Sequence, residues 1–267
     1  MAEPYTFSAG NTPLLVSLPH GSTYIPPKMS SRMTRAARKT PDTDWHVGRL
    51  YDFAQALGAS VIAATHSRYV VDLNRDPTGT ELYKNADNTE LCPTTTFDFE
   101  PLYLPGEEPD EEEIAGRIRQ YWQPYHAKLD EQLSDLKQRH GVAILFEGHS
   151  IRSEVPRFYK GPIPDLNLGT ANGASAAPDL AEIAFAALVG RNYSVVWDER
   201  FTGGYITRRY GNPAAGIHAL QLELTWRNYM NEKNFRYAAK RANHLKQLLE
   251  ELLTQLIRWS FERGEGG

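Results

Sequence analysis

Three short apolar runs in this chain each lead into a histidine or a glutamate. Short runs of this kind, rich in Leu, Val and Ile, are typical of buried strands. Because ligands in an open α/β sheet bind beyond the carboxyl ends of the strands, we expect the polar groups that follow to meet at one edge. The runs and their polar groups are Leu14–Leu18 with His20, Val142–Phe146 with His149, and Ile217–Leu220 with Glu223.

Two imidazoles and one carboxylate form a common ligand set for a catalytic zinc ion. A further glutamate that is not a ligand can then act as the base. His20 and His149 stand apart because Gly21 and Gly148 leave room around their rings. These features predict a metal-dependent hydrolase. Five other histidines are interpreted as ordinary surface or hydrogen-bonded core residues, namely His66, His126, His140, His218 and His244.

The charge, the apolar runs and the cysteine content indicate which partners and which compartment to expect. A net charge of −4 and a pI near 6.1 give no basic surface for nucleic acid. No apolar run approaches the roughly 20 residues needed to cross a bilayer, and the N-terminus lacks a signal-peptide pattern. The single cysteine, Cys92, fits a reducing compartment. We therefore expect a cytoplasmic protein that binds neither nucleic acid nor membrane, and the sequence leaves its oligomeric state open.

Strand-like and helix-like segments alternate along the chain. This pattern predicts an α/β fold, with a mixed sheet flanked by helices on both faces, in one domain over residues 1–267. Residues 76–108 and 152–176 are expected to be irregular, and long loops of this kind are usually functional or disordered. Further strands are predicted at 60–64, 69–73 and 193–197, and helices at about 44–57, 110–139, 179–188 and 232–261.

Six short motifs, in one order, resemble a known family. They are His20-Gly21, Asp42–His46, Ser67–Arg75, His149–Arg152, Gly203–Thr207 and Gln221–Leu224. Together they are similar to the N-formylglutamate amidohydrolases, over about residues 12 to 255. The resemblance implies a fold like that of the zinc exopeptidases of the carboxypeptidase type (phosphorylase/hydrolase-like). It also implies one divalent metal ion, with zinc favoured and cobalt or another divalent ion as alternatives. The implied reaction is hydrolysis of N-formyl-L-glutamate to formate and L-glutamate, a step of bacterial histidine breakdown.

The resemblance places two metal ligands on His20 and His149 and the catalytic base on Glu223. Carboxypeptidase-like sites often carry a glutamate three residues after the first histidine, but that position here is Thr23. The third protein ligand must therefore come from another segment. Asp44 is the preferred candidate, because its motif matches the family.

Three acidic or imidazole side chains near these residues have alternative roles. Asp42 and His46 compete with Asp44 for the third ligand position. Glu147 stands where many family members carry aspartate, so its longer side chain leaves open whether it supports a ligand histidine.

The implied substrate carries two carboxylates, so its pocket needs fixed positive charge. Arginine suits this task because its planar guanidinium binds a carboxylate through two hydrogen bonds. Arg75, Arg152 and Arg208 are the predicted substrate-binding arginines, with Arg68 and Arg209 behind them. Asn74 and Gly204, from the same motifs, complete the predicted substrate site.

Two other readings stay open at this stage. The chain could be a metallohydrolase of the same fold that acts on a different N-acyl amino acid, because residues outside the motifs set the substrate. It could also be a carboxylate-binding protein that kept the fold and lost the metal. The joint presence of His20, His149 and Glu223 argues against the second reading.

Overall fold

A mixed β-sheet organises the chain. A computed structural model describes residues 3–82 and 87–264. The strands are β1 (Tyr5–Ser8), β2 (Leu14–Leu18), β3 (Ser60–Ala64), β4 (Ala143–Ile151), β5 (Leu166–Gly169), β6 (Val195–Trp197), β7 (Ile217–Thr225), β8 (Met230–Asn231) and β9 (Arg236–Tyr237). The α-helices are α1 (Pro27–Ser30), α2 (Val47–Leu50), α3 (Glu111–Arg117), α4 (Gln123–His140), α5 (Pro178–Leu188), α6 (Tyr205–Tyr210) and α7 (Ala239–Gly264).

Four parallel strands form the centre of the main sheet. Within the described residues the strand order is β1-β3-β2-β4-β7-β5-β6. Strands β3, β2, β4 and β7 run parallel, whereas β1 pairs antiparallel with β3 and β5 pairs antiparallel with β7. The predicted α/β fold with a mixed sheet is therefore confirmed, while the single domain over residues 1–267 stays a prediction.

The two faces of the sheet bury separate apolar cores, because successive side chains of a strand point to opposite faces. On one face Val16 and Phe146 pack in a core that includes residues of α5 and α7. On the other face Leu15 and Leu145 pack in a core that includes residues of α4. Helices thus cover both faces, as the alternating pattern predicts. No helix in the described part of the chain is long and apolar enough to span a membrane.

Some predicted elements are wrong or incomplete. The predicted strand at 69–73 is a series of turns, in which Val70 N–H donates to Ser67 O and Arg75 N–H to Asp72 O. The predicted helix up to Leu57 is only the single turn of α2, followed by further turns. Strand β5 lies inside the segment 152–176 that was expected to be irregular. For β5, pairing with the distant strands β6 and β7 overrides local propensity.

The excursion at 76–108 contains no helix or strand in its described part, as predicted, and its residues 83–86 lie outside the described residues. The helix predicted at 110–139 is present, but a π-helical segment, Ile118–Trp122, separates α3 from α4.

Helix α4 holds the loop that follows residue 72. The His126 ring is buried, and its Nε2–H donates to Leu73 O at 2.8 Å. Its Nδ1 accepts from the Tyr210 hydroxyl at 2.9 Å, and the ring stacks on Trp122. The Trp122 indole N–H donates to Arg75 O at 3.0 Å. These contacts fix the backbone of residues 73–75 against the helix.

Acid should weaken this tether. Burial lowers the pKa of His126 to about 4, whereas a histidine in the unfolded chain titrates near 6.5. The unfolded state therefore takes up a proton first, and stability contributed by neutral His126 is lost as pH falls from 6.5 towards 4. Between pH 7 and pH 5 we expect a loss of about 1.5–2 kcal/mol from this group. Urea unfolding of His126→Gln should show a correspondingly weaker pH dependence. The exposed His244→Gln is the control, and identical slopes for the wild type and His126→Gln would contradict the assignment.

Candidate active site

The central strand pair brings the predicted histidine and glutamate together. In the parallel register of β4 and β7, His149 lies opposite Glu223 and Glu147 lies opposite Gln221. Residues two apart on a strand share a face, so these four side chains point to the same side of the sheet. Both strands continue past the apolar runs, to Ile151 and Thr225, and the site residues therefore lie within the strands rather than after them.

Close packing on the opposite face explains Gly148. A Cβ at this position would lie 2.8 Å from the ring of Tyr51 and 2.9 Å from Leu18. The glycine is therefore required by the apolar core behind the sheet, and not by space around the His149 ring, which was its predicted purpose.

Three buried side chains form a cluster able to hold a metal ion. Ligand atoms of His20, Asp44 and His149 all lie within 4.8 Å of one another. Asp44 Oδ2 lies 2.9 Å from His149 Nδ1 and 3.9 Å from His20 Nδ1. His20 follows β2, and Asp44 is held beside it because the Asp44 N–H donates to His20 O at 3.0 Å.

Each ring presents its other nitrogen to a carboxylate. His20 Nε2 bonds to Asp72 at 2.7 Å, and His149 Nε2 bonds to Glu147 at 2.8 Å. Both carboxylates are fully buried. A carboxylate on the far nitrogen of a metal-binding histidine fixes the ring and its tautomer, so the cluster has the surroundings of a metal site. Asp72 was missed in the sequence, although it lies in a family motif, because its segment was predicted to be a strand.

The charges around the rings shift their pKa values in opposite directions. Burial and the Arg68 guanidinium lower the pKa of His20. Burial alone would also lower the pKa of His149, but Glu147 and Asp44 raise it well above its usual value. For Asp72 burial opposes ionisation, and Arg68 and His20 nevertheless hold its pKa well below its usual value.

The two competitors of Asp44 are engaged elsewhere. One oxygen of Asp42 accepts from the Tyr69 hydroxyl at 2.6 Å and from the Phe97 N–H at 2.9 Å. His46 precedes α2 with a left-handed backbone, and its Nε2 bonds to Phe235 O at 2.7 Å. The structure thus brings Asp44, and neither competitor, to the two histidines.

The donor set fits a divalent metal. His20 Nδ1 is buried without a hydrogen-bond partner among the described residues, and it points into the cluster. An unpaired buried nitrogen is costly, and a metal bound through His20 Nδ1, His149 Nδ1 and Asp44 Oδ2 would satisfy it.

Glu223 lies beside this cluster on the wall of a cavity. Burial raises the pKa of its carboxyl to about 8, while His149 lowers it and Asp44 raises it. Its carboxylate makes no side-chain hydrogen bond to another described residue, so its oxygens are available to a ligand.

The cavity has an empty volume of about 570 Å³, including the space open to solvent. Its polar side carries the metal-competent cluster, Glu223 and Gln221, and its other side carries Phe97, Phe158 and Phe201.

The predicted arginines have different positions. Arg75 lines the cavity, and its guanidinium donates to Asn74 O, Thr89 O and Thr89 Oγ1, all neutral acceptors. Arg152 is not among the described residues that line the cavity, because Asp98 holds it through two hydrogen bonds of 2.8 and 2.9 Å. Arg208 is also absent from that lining, and it donates to Gly203 O and Thr202 Oγ1.

Two other arginines line the cavity. Arg68, predicted only as a supporting residue, pairs with Asp72 at 2.5 Å. Arg200 was missed in the sequence analysis, and its Nε–H donates to Phe158 O at 2.6 Å. Its only sequence signal is its place three residues before a family motif.

Asn74 and Gly204, which the sequence analysis assigns to the substrate site, both line the cavity and lie close together. A Cβ on Gly204 would lie 2.2–2.5 Å from the Asn74 side chain. Asn74 Oδ1 accepts from the Ile206 N–H at 2.8 Å, and its amide nitrogen lies 3.1 Å from His149 Nε2. Gly204 is therefore the residue that lets Asn74 approach the site.

A cluster able to hold a metal ion, a glutamate outside it and a cavity at the carboxyl ends of parallel strands are features of a hydrolase site. Residues 12–230 match the N-formylglutamate amidohydrolase family, and the chain belongs to it.

Two relatives are similar over almost their whole length. The N-formylglutamate deformylase of Pseudomonas aeruginosa is 46% identical, covering 98% of this chain and 99% of its own. The N-formylglutamate deformylase of Pseudomonas putida is 44% identical with the same coverage.

Solved structures show the same fold. The N-formylglutamate amidohydrolase of Ralstonia eutropha JMP134 has a TM-score of 0.78 at 24% identity, with 99% of this chain and 98% of that one covered. A protein of Agrobacterium tumefaciens has a TM-score of 0.69 at 19% identity, with 94% and 95% covered.

Replacing the clustered residues should remove bound metal. His20→Ala, Asp44→Ala and His149→Ala should each lower the zinc content of the purified protein to a small fraction of the wild-type value, because each removes one of three protein ligands. Metal analysis by mass spectrometry measures this directly. His46→Ala is the matched control, since its ring bonds to a backbone carbonyl. Full zinc content in Asp44→Ala with loss in His46→Ala would reverse the choice of third ligand.

Proposed function

We propose that this protein hydrolyses N-formyl-L-glutamate to formate and L-glutamate with the help of one divalent metal ion. The observation that carries the proposal is the cluster of His20, Asp44 and His149 beside Glu223, on the wall of a cavity that also presents Arg75. Membership of the family and the names of the two Pseudomonas relatives support this choice of substrate.

The metal would be held by His20, Asp44 and His149. Zinc suits two imidazoles and a carboxylate, and cobalt or another divalent ion with the same preferences is the alternative. Such an ion supplies Lewis-acid polarisation of the formyl oxygen and a lowered pKa for a nearby water. Asp72 and Glu147 would hold the two rings in the orientation that directs each Nδ1 inward.

Glu223 would act as general base and then as general acid. Its carboxylate accepts a proton from the water that attacks the formyl carbon, and it returns that proton to the departing glutamate nitrogen. Its position opposite His149 in the strand register places it next to the cluster without making it part of the cluster. Burial raises the pKa of this carboxyl, so its ionised form is a stronger base than an exposed glutamate, and a cation bound at the cluster would favour that ionised form.

Arg75 would bind one carboxylate of the substrate. This arginine lines the cavity and donates its hydrogen bonds to neutral acceptors on Asn74 and Thr89, so an anion can approach it without displacing a carboxylate partner. Arg68, by contrast, is already neutralised by Asp72. The aromatic side of the cavity, Phe97, Phe158 and Phe201, would pack on the methylene groups of the glutamate side chain.

The second candidate function is hydrolysis of another N-acyl amino acid by the same site. The apolar cluster of Phe97, Phe158 and Phe201 in the cavity lining favours it, because these rings also fit an apolar amino-acid side chain. We also propose that the protein is cytoplasmic, as a single buried cysteine fits a reducing compartment.

Glu223→Gln isolates the base. The substitution keeps the size and shape of the side chain but removes its ability to accept a proton at neutral pH. We expect kcat for N-formyl-L-glutamate to fall by about 10²–10⁴-fold, with zinc content and thermal stability close to those of the wild type. Steady-state kinetics, metal analysis and thermal unfolding measure the three quantities. Near-native kcat in a stable, zinc-loaded variant would end this mechanism.

Arg75→Gln tests the carboxylate site. We expect kcat/KM for N-formyl-L-glutamate to fall by about 10–150-fold, which corresponds to the roughly 1.5–3 kcal/mol of a hydrogen bond to a charged group. The exposed Arg139→Gln, which removes a positive charge on α4, is the control.

A second substrate identifies which carboxylate Arg75 binds. N-formyl-L-norvaline lacks the side-chain carboxylate, so the penalty shrinks if Arg75 binds that group and persists if Arg75 binds the α-carboxylate. Unchanged kcat/KM for both substrates would exclude Arg75 from the site.

A further inference from the structure

The two ligand histidines have carboxylate partners in different electrostatic states. Asp72, the partner of His20, receives a second hydrogen bond from the Arg68 guanidinium at 2.5 Å. Glu147, the partner of His149, receives its second hydrogen bond from the Thr207 hydroxyl at 2.7 Å. One carboxylate is therefore balanced by a full positive charge, and the other is stabilised by a neutral hydroxyl.

Thr207 supplies what the buried Glu147 carboxylate needs. Glu147 and Thr207 are both 0% exposed. A buried carboxylate oxygen without a hydrogen bond is strongly unfavourable. Within residues 3–82 and 87–264, Glu147 Oε2 accepts a hydrogen bond from the Thr207 hydroxyl, and Glu147 pairs with His149 through Oε1. No arginine or lysine of these residues forms an ion pair with Glu147. The negative charge of Glu147 therefore acts mainly on the His149 ring.

The position of Thr207 is fixed by its own surroundings. Helix α6 begins directly after Gly204, whose N–H donates to Gln221 Oε1 at 2.8 Å. The Ile206 N–H donates to Asn74 Oδ1 at 2.8 Å. Both contacts anchor the start of the helix to β7 and to the loop after Asp72. The branched Cβ of Thr207 restricts its χ1 angle further, so its hydroxyl stays directed at Glu147.

We infer that Thr207 is a positioning residue for the metal centre. By holding Glu147 Oε2, it keeps Glu147 Oε1 on His149 Nε2, and this contact keeps His149 Nδ1 directed at Asp44 and His20. A carboxylate on the far nitrogen also makes the imidazole a more basic ligand. The inference rests on the metal site proposed above, and it extends that site to a residue on a separate helix.

Zinc affinity of two Thr207 variants tests the inference. Thr207→Val keeps the branched shape and removes the hydroxyl, whereas Thr207→Ser keeps the hydroxyl and removes a methyl group. Competition between the metal-stripped protein and a chromophoric chelator at pH 7 gives the Kd for zinc. We expect Thr207→Val to raise this Kd by about tenfold, at the lower end of the effect of losing an outer hydrogen-bond partner. Thr207→Ser should stay within about threefold of the wild type by the same reasoning.

The controls separate positioning from packing. Ser175→Ala removes another buried hydroxyl, which donates to Ala219 O at 2.7 Å, and it should lower thermal stability without changing the Kd for zinc. Glu147→Gln keeps the length of the side chain and removes its charge. It should raise the Kd at least as much as Thr207→Val, and it serves as the test if the valine variant does not fold.

Each result leads to a separate conclusion. Equal zinc affinity in the wild type and Thr207→Val, or equal losses in the valine and serine variants, would overturn the positioning role. Absence of zinc binding by the wild type would instead overturn the proposed metal site.

Discussion

The parallel pairing of β4 with β7 is the constraint on which the site depends. It sets Glu147 beside Gln221 and His149 beside Glu223, on one face of the sheet. The alternation of side chains then assigns the neighbours of these residues to the opposite, apolar face. A shift of the register by one residue would move His149 and Glu223 to the face of the apolar core, so the fold and the candidate site are specified together.

The buried charges of the site balance one another. Asp44, Asp72 and Glu147 are buried carboxylates, and each contacts an imidazole of His20 or His149. Arg68 adds a fixed positive charge at Asp72. Removing one partner of such a set leaves an uncompensated buried charge, which costs more than the pair contributes. The buried charged residues on the polar part of the cavity lining therefore fix one another's positions.

The sequence was sufficient for the parts of the fold that follow from local pattern. Apolar runs followed by a histidine or a glutamate predicted β2, β4 and β7. The family motifs led to the prediction that His20, Asp44 and His149 lie in one metal site, and the structure brings these three side chains together. The strand predicted at 69–73 was wrong. Val70 and Val71 favour a strand, but the backbone hydrogen bonds of this segment form turns.

The partners of the arginines predicted to bind substrate could not be predicted either. Arg75 and Arg152 each end a family motif, and nothing local indicates that Asp98 holds Arg152. Hydrogen bonds across more than fifty residues, such as that between Thr207 and Glu147, exist only once the sheet has formed. Asp72 and Thr207, which were both missed, depend on contacts of this kind, and the contact of Arg200 with Phe158 spans 42 residues.

The order in which the chain folds is constrained by the same long separations. Asp44 and His149 are 105 residues apart in sequence, and His20 and Asp72 are 52 apart. Parallel strands cannot be joined by a tight hairpin, so the entropy of closing long loops is lost before their contacts form. Folding rates fall as contacts become less local. Helices α4 and α7 can therefore form early, whereas the catalytic cluster assembles only after β2, β4 and β7 have met. During refolding, the return of activity would report completion of the central sheet, and helix content would report an earlier stage.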